Sequence, residues 1–194
     1  PADSKLGPQE VRVAVHAVAL NYRDLLVAEG EYGGVQNPPI VTASDMSGVV
    51  VETGDDVRHL AVGDHVINAP VPAWTDGTLR REWSRSFVGG QGIDGVLAEE
   101  VIYPAHGLVV APSHLSHPQA ATLVVAGLTA WAAVVTHGAA QPGDWVLVQG
   151  TGGVAIFAAQ IARMLGVQVI QTTSDTDKAK RLKDDFGVAE TLDY

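Results

Sequence analysis

The chain contains no cysteine. This excludes disulfides, a thiolate nucleophile and every zinc site built on sulfur. Positive charge is scarce as well: 12 Lys and Arg stand against 22 Asp and Glu, for a formal net charge of -10. With no basic run to offset it, that balance opposes a phosphate backbone or an anionic bilayer, so neither nucleic acid nor a membrane is an expected partner. No apolar run reaches the roughly 18 residues that a spanning helix needs, and the N-terminus lacks a basic stretch followed by an apolar one. A cytoplasmic location is the expectation that follows. What is present is a 194-residue chain with 46% apolar and 18% charged residues, the composition of one globular domain or two small ones.

Two halves have different patterns. EVRVAVHAV, residues 10–18, sets Val11, Val13, Val15 and Ala17 on one face and Glu10, Arg12 and His16 on the other, the period of a half-buried strand. A short helix from about Asn21 to Gly30 is expected next. MSGVVVETG, GDHVINAP, GVLAEEVIYP and GLVVAP then read as short strands between turns, and the whole as a β-rich domain. From Ser116 the pattern changes. SHPQAATLVVAGLTAWAAVVTHG predicts one long apolar helix with a Ser cap, Pro118 in the first turn and Gly138 beyond the end. DWVLVQG, TGGVAIFAAQIARMLG, VQVIQTTS, DTDKAKRLKDDFG and VAETLDY alternate strand and helix, which predicts βαβ units and a parallel sheet. The stretch from 70 to 94 is long for a loop, aromatic and locally basic, with Trp74, Arg80, Arg81, Trp83 and Arg85.

The most specific motif is Gly150-Thr151-Gly152-Gly153-Val154-Ala155, a G-x-G-x-x-A turn between a strand and a helix. Gly150 permits a tight turn, Gly152 lets the backbone approach a pyrophosphate, and Ala155 allows helix and strand to pack closely. The helix start offers free N–H groups and the positive end of its dipole to the anion. A site for NAD needs a carboxylate at the end of the next strand for the ribose 2′-OH. This chain has Gln171-Thr172-Thr173-Ser174 there, with Lys178 a turn later. Hydroxyls and an ammonium suit a 2′-phosphate, so Thr173, Ser174 and Lys178 point to NADPH rather than NADH. Asp175 and Asp177 lie where caps and first-turn acids belong and are read as helix starters. A solvated lysine remains the alternative for Lys178.

ALNYRDLL, SDMSGVVVETGDDV, VGDHV, AATLVVAGLTAW, PGDWVLVQGTGGV and TLDY, in this order, resemble the medium-chain dehydrogenase/reductase superfamily. The nearest likeness is to its zinc-independent quinone oxidoreductase and enoyl reductase branch. The resemblance implies a GroES-like β-rich domain, residues 1–117, followed by the first half of a Rossmann doubly wound parallel sheet, residues 118–194. It also implies an active site in the cleft between them. Family members are longer at both ends, so the chain is expected to be a fragment of a larger enzyme that forms a homo-oligomer.

Departures from the family set the expected chemistry. Zinc-dependent relatives carry a cysteine where this chain has Asn21, a Gly-His-Glu motif where it has Ala43-Ser44-Asp45, and a further cysteine where it has Val125. No metal ligand set is therefore expected. His114 and His117, the one close histidine pair, read as a surface loop. Without a metal, the implied reaction is hydride transfer to a small-molecule quinone or α,β-unsaturated carbonyl, with hydrogen bonds stabilising the developing oxyanion. By resemblance, Asn21, Tyr22 and Asp24 line the cleft, and the Tyr22 phenol is the candidate proton donor. Asn21 and Asp24 also fit a capping box, which would account for both without chemistry. Thr129 matches a position near the nicotinamide, with a bond back to its own helix as the alternative. Tyr194 matches a tyrosine near the adenosine phosphate. Two other functions stay open: a non-catalytic, crystallin-like NADPH-binding protein, and a protein grouped with zinc alcohol dehydrogenases by similarity only.

Overall fold

The structure is a computed structural model and describes residues 4–32, 40–78, 80–90 and 93–193. Two compact units make up the chain, Pro1–Val125 and Ala126–Tyr194. In the first, strands β1 (Glu10–Ala19), β2 (Asp45–Thr53), β3 (His65–Asn68), β4 (Glu100–Pro104) and β5 (Leu108–Val110) form one sheet in the order β4-β1-β2-β3-β5. Every pairing is antiparallel. Helix α1 (Tyr22–Ala28) follows β1. Val11, Val13, Met46, Val50, Val66, Val96 and Leu108 are the centre of the core, and their burial favours the folded sheet.

The alternation expected along β1 holds only as far as Val15. Val15 lies opposite Gly48 and Ala17 opposite Ser47, so His16 has no partner on β2 and forms a bulge. A bulge inserts one residue and reverses the faces beyond it; Val15 and Val18, not Ala17, pack on the core. His16 is thereby turned toward α2 (His117–Ala121), where its ring stacks on that of His117 with centroids 4.4 Å apart. His65 of β3 meets the same ring at 4.0 Å. Between them the buried Ser47 hydroxyl lies 2.7 Å from His65 Nε2 and 2.9 Å from His117 Nδ1. His117 is thus joined to His16 and His65 rather than paired with His114 in a surface loop.

The long stretch after β3 is held by local bonds. The Val88 N–H donates to the Pro70 carbonyl at 3.0 Å, the Trp74 indole to the carbonyls of Asp76 and Gly77, and Arg80 lies over the Trp83 ring at 4.6 Å. The single long helix expected from Ser116 is continuous but not regular. After α2 it widens into a π-helical segment (Leu123–Gly127), returns to α geometry in α3 (Leu128–Trp131), and widens again (Ala132–His137). Each wide segment contains a Val-Val pair, β-branched residues that crowd the preceding turn of a regular helix.

In the second unit β6 (Trp145–Val148), β7 (Gln168–Thr172) and β8 (Glu190–Leu192) form a parallel sheet in that order, with α4 (Gly153–Met164) and α5 (Thr176–Phe186) between successive strands. The buried face of α4 is Ala155, Ala158, Ala159 and Ala162, a row of small side chains at helical spacing that brings the helix close to the sheet. Asp175 caps α5, accepting from the N–H groups of Asp177 and Lys178 at 2.9 and 3.0 Å, as its position predicts. Among the described residues no helix is long and apolar enough to cross a membrane.

The histidine cluster sets a pH dependence. Burial, and then the neighbouring His65 and His16, hold the His117 pKa below the ordinary imidazole value. The unfolded chain then takes up the proton first, so stability from this group is complete above the ordinary value and is lost as pH falls toward the folded one. Chemical denaturation at about pH 7.5 and about pH 5.5 should show a falling midpoint. His117→Gln should flatten that fall.

Candidate active site

Helix α1 starts at Asn21, whose N–H donates to Asp24 Oδ2 at 2.8 Å. The Asn21 side chain faces the Asp24 N–H as in a capping box, yet that N–H bonds the Asn21 backbone carbonyl at 2.9 Å. The Asp24 half of the box is therefore the well-formed one. Tyr22, the first helical residue, is 76% exposed. Arg23 beside it is buried, with Nη1 donating to the Val88 carbonyl at 3.0 Å and to Asp24 Oδ1 at 3.4 Å. Its guanidinium is flanked by the Phe87 ring at 4.0 Å and the Tyr32 ring at 5.0 Å, contacts that favour a cation. One residue of NYRD thus ties α1 to the stretch after β3, its neighbour is displayed to solvent, and the outer two cap the helix.

The polar centre of this unit is Asp45, 1% exposed at the start of β2. One carboxylate oxygen accepts from the Ser44 hydroxyl at 2.5 Å and the other from the Val125 N–H at 2.9 Å. The Asn21 amide also helps to hold the charged form, although Nδ2 makes no hydrogen bond of ordinary geometry. Burial outweighs these contacts and pushes the Asp45 pKa up. Asn21, Ser44 and Val125, the three positions singled out by their departures, therefore converge on one carboxylate. The network continues inward. Asn68 Nδ2 donates to the Ser44 carbonyl at 2.8 Å and to the Tyr103 oxygen at 3.3 Å, while Tyr103 donates to the Ala69 carbonyl at 2.6 Å. Burial, against the Asn68 bond and with the Asp45 charge, pushes the Tyr103 pKa up to about 12.

Ala43, just before this pair, has φ 67, a left-handed conformation that disfavours a Cβ. Its carbonyl accepts from the Val96 N–H at 2.9 Å, and Gly89 and Gly95 approach it so closely that a Cβ on either would lie within 2.4 Å of that oxygen. Backbone strain of this kind is sustained by the packing around it.

In the second unit the glycine turn has the geometry its sequence predicts. Gly150 has φ 76, and a Cβ on Gly152 would meet nothing within 4 Å. Gly152 caps α4 without any side-chain bond, so the first-turn N–H groups are left to a ligand. Gly153 and Val154 are exposed. An open backbone cradle at a helix start fits a diphosphate. The end of β7 supports it: Thr172 Oγ1 accepts from the Gly150 N–H at 3.0 Å, and Gln171 Nε2 donates to the Gly150 carbonyl at 2.8 Å. Nearby, Thr151, Ile156, Lys178, Arg181, Leu182 and Phe186 line a cavity of about 220 Å³.

Among the residues predicted from sequence, Gly150, Thr151, Gly152, Gly153 and Val154 come together as one turn, and Lys178 lines the cavity beside Thr151. Ser174 is exposed. Thr173 is buried, its hydroxyl oxygen accepting from the Asp175 N–H at 3.2 Å. Thr129 is exposed on α3, with no side-chain bond to the helix behind it among the described residues. Tyr194 lies outside the described residues. Asp45, Arg23, Gln171 and Arg181 were not singled out as site residues. The signal for Asp45 was available: a carboxylate opening the apolar run DMSGVVV has to find partners.

Asp45→Ala should destabilise the fold by about 2–3 kcal/mol, because it strands the Val125 N–H and the Ser44 hydroxyl. Asp45→Asn supplies a test of ionisation. With the folded pKa above the ordinary carboxylate value, the carboxyl stabilises most below that value and its contribution is lost as pH rises through the folded one. The stability deficit of the Asn variant, measured by urea denaturation, should shrink from about pH 4 to about pH 7.

Residues 7–113 match the alcohol dehydrogenase GroES-like domain. A zinc-type alcohol dehydrogenase-like protein of Schizosaccharomyces pombe is 38% identical over 192 residues, covering 98% of this chain and 55% of the relative. A solved structure of a candidate alcohol dehydrogenase from Sinorhizobium meliloti 1021 has 43% identity and a TM-score of 0.90, covering 97% of this chain and 56% of the other. A quinone oxidoreductase from Pseudomonas syringae pv. Tomato DC3000 has 31% identity and a TM-score of 0.79, covering 98% and 52%. The chain spans about half the length of each of these relatives. A GroES-like β unit followed by the opening βαβ elements of a parallel Rossmann-type sheet, in this order and with these relatives, makes the chain a member of the medium-chain dehydrogenase/reductase superfamily of oxidoreductases.

Proposed function

We propose that the whole protein is a cytoplasmic, homo-oligomeric NADPH-dependent oxidoreductase that reduces a quinone or an α,β-unsaturated carbonyl without zinc. The observation that carries the zinc-free reading is the Asp45 tie. Asn21, Ser44 and Val125 offer no thiolate or imidazole, and the carboxylate between them is committed to the Ser44 hydroxyl and the Val125 N–H. Lewis-acid polarisation of an alcohol needs an open position on a ligated metal, and these residues are poor ligands for one.

The cofactor reading rests on the second unit. The exposed N–H groups of the 150–155 turn would bind the diphosphate. Lys178 supplies positive charge beside that turn. Asp175, the first carboxylate after β7 in the sequence, is committed to capping α5, and its bonds to the N–H groups of Lys178 and Asp177 hold its pKa down. A 2′-phosphate is favoured over a bare ribose hydroxyl by that arrangement. When bound, the nicotinamide would supply the hydride. The exposed Tyr22 hydroxyl, held at a capped helix start, would supply a proton to the reduced product.

In the full-length protein, NADPH oxidation should follow addition of at least one member of an enone and quinone panel. Cofactor binding with no turnover on any acceptor would leave a binding module instead, and stoichiometric zinc after dialysis would overturn the metal-free reading. Lys178→Ala should raise KM for NADPH about tenfold while leaving NADH nearly unchanged. Tyr22→Phe should lower kcat by about 10² or more; unchanged turnover would assign the proton to water or another group.

A further inference from the structure

Gly150 is held from both sides by the end of one strand. Its N–H donates to Thr172 Oγ1 at 3.0 Å, and its carbonyl accepts from Gln171 Nε2 at 2.8 Å. The residue so held has φ 76 and no neighbouring atom within 4 Å of where a Cβ would be, so nothing packs on its side-chain direction. Glycine in a free turn samples several backbone states, and a ligand that needs one of them bears the cost of ordering it. Two hydrogen bonds from the end of β7 remove that cost before any ligand arrives.

Gln171 also carries a liability. It is 0% exposed, and once Nε2 is committed to the Gly150 carbonyl, which can only accept, Oε1 is left buried with no partner among the described residues. A residue retained only to fill this space would avoid that penalty, since methionine has a similar length and no polar atom to strand. The place therefore gives up stability, and what it gains is a fixed first glycine in the turn.

We propose that Gln171 and Thr172 are positioning residues that preset the Gly150 turn for a dinucleotide diphosphate, at a cost in stability borne by Gln171. This rests on the proposed use of NADPH. It extends that reading from the groups that touch the diphosphate to a pair that acts through Gly150. The pair should matter for ligands with a pyrophosphate and be indifferent to ligands without one.

The test compares Gln171→Met, Thr172→Val and Thr172→Ser in the full-length protein, using fluorescence titration with NADPH, NMR titration with adenosine 2′-monophosphate, and thermal melting. Gln171→Met should weaken NADPH binding about tenfold, leave adenosine 2′-monophosphate within about twofold, and melt no earlier than the unaltered protein. Thr172→Val should weaken NADPH in the same selective way. Thr172→Ser, which keeps the hydroxyl, should restore binding, and this pair stands if the Met variant does not fold. Unchanged NADPH affinity in Gln171→Met and Thr172→Val overturns the clamp while leaving the cofactor reading intact. Equal losses for both ligands together with a lower melting temperature overturn it in favour of a structural role. No binding of NADPH or NADH by the unaltered protein overturns both.

Discussion

A carboxylate at 1% exposure is the constraint around which the β-rich unit is organised. Burying a charge without partners costs more than a domain of this size can spare, so elements distant in sequence have to supply them. The Asp45 partners come from the residue before it, from Asn21 at the start of α1 and from the backbone of residue 125. Each partner fixes a piece of structure: where β2 begins, where α1 begins, and where the chain passes after α2. The Ser44 carbonyl then passes the constraint to Asn68, and Asn68 to Tyr103. Polar groups in a core are tolerated when every member is satisfied, and they then narrow the arrangements the core can take. Ala43 shows the same constraint in its backbone, since its left-handed φ of 67 sets the chain direction into Ser44 and Asp45.

The two units treat polar groups in opposite ways. In the first, a side-chain hydroxyl and a backbone N–H meet a buried carboxylate, while Tyr22 at the helix start is exposed. In the second, a row of alanines brings α4 against the sheet, and the backbone N–H groups at its start remain uncapped. Its surroundings are tied in place by hydrogen bonds: Gly150 is bonded on both sides and Asp175 caps the start of α5. A closed polar centre gives stability and a defined core, while an open one gives a place for an anion.

What could be read from the sequence divides along the same physical line. The glycine turn was legible because each position demands a residue type that little else explains: a positive φ at 150, open space at 152, a small side chain at 155. The Asp175 cap was legible because capping is local, reaching only two and three residues ahead. The strands were legible by their period, up to His16. Beyond it the bulge reversed the faces, and a single extra residue leaves no periodic mark of its own. The His16, His65 and His117 cluster was not legible, because its members come from three elements joined only by the sheet. Asp45 lies between these cases. It stood inside a motif recognised for the ligands it lacked, and that framing directed attention to the absent groups instead of the carboxylate they surround.

Under the proposed zinc-free reading, the departure from zinc-dependent relatives is one of charge. A metal site balances anionic ligands against a dication, and removing the metal leaves any remaining carboxylate uncompensated. On that reading the positions that would carry ligands are neutral: an amide at Asn21, a hydroxyl at Ser44 and an aliphatic side chain at Val125. Of these positions only Asp45 retains a formal charge, and what holds its charged form is hydrogen bonding from Ser44, Asn21 and Val125, against burial and the Asp24 charge. Donors of this kind offset part of a carboxylate's desolvation but not all of it, which is why its pKa remains raised. Under the proposed reading the site has exchanged a metal's charge balance for a hydrogen-bond balance. The exchange is incomplete by the amount that Asp45 still resists ionisation, so the charge state of this one buried group links the stability of the unit to the chemistry beside it.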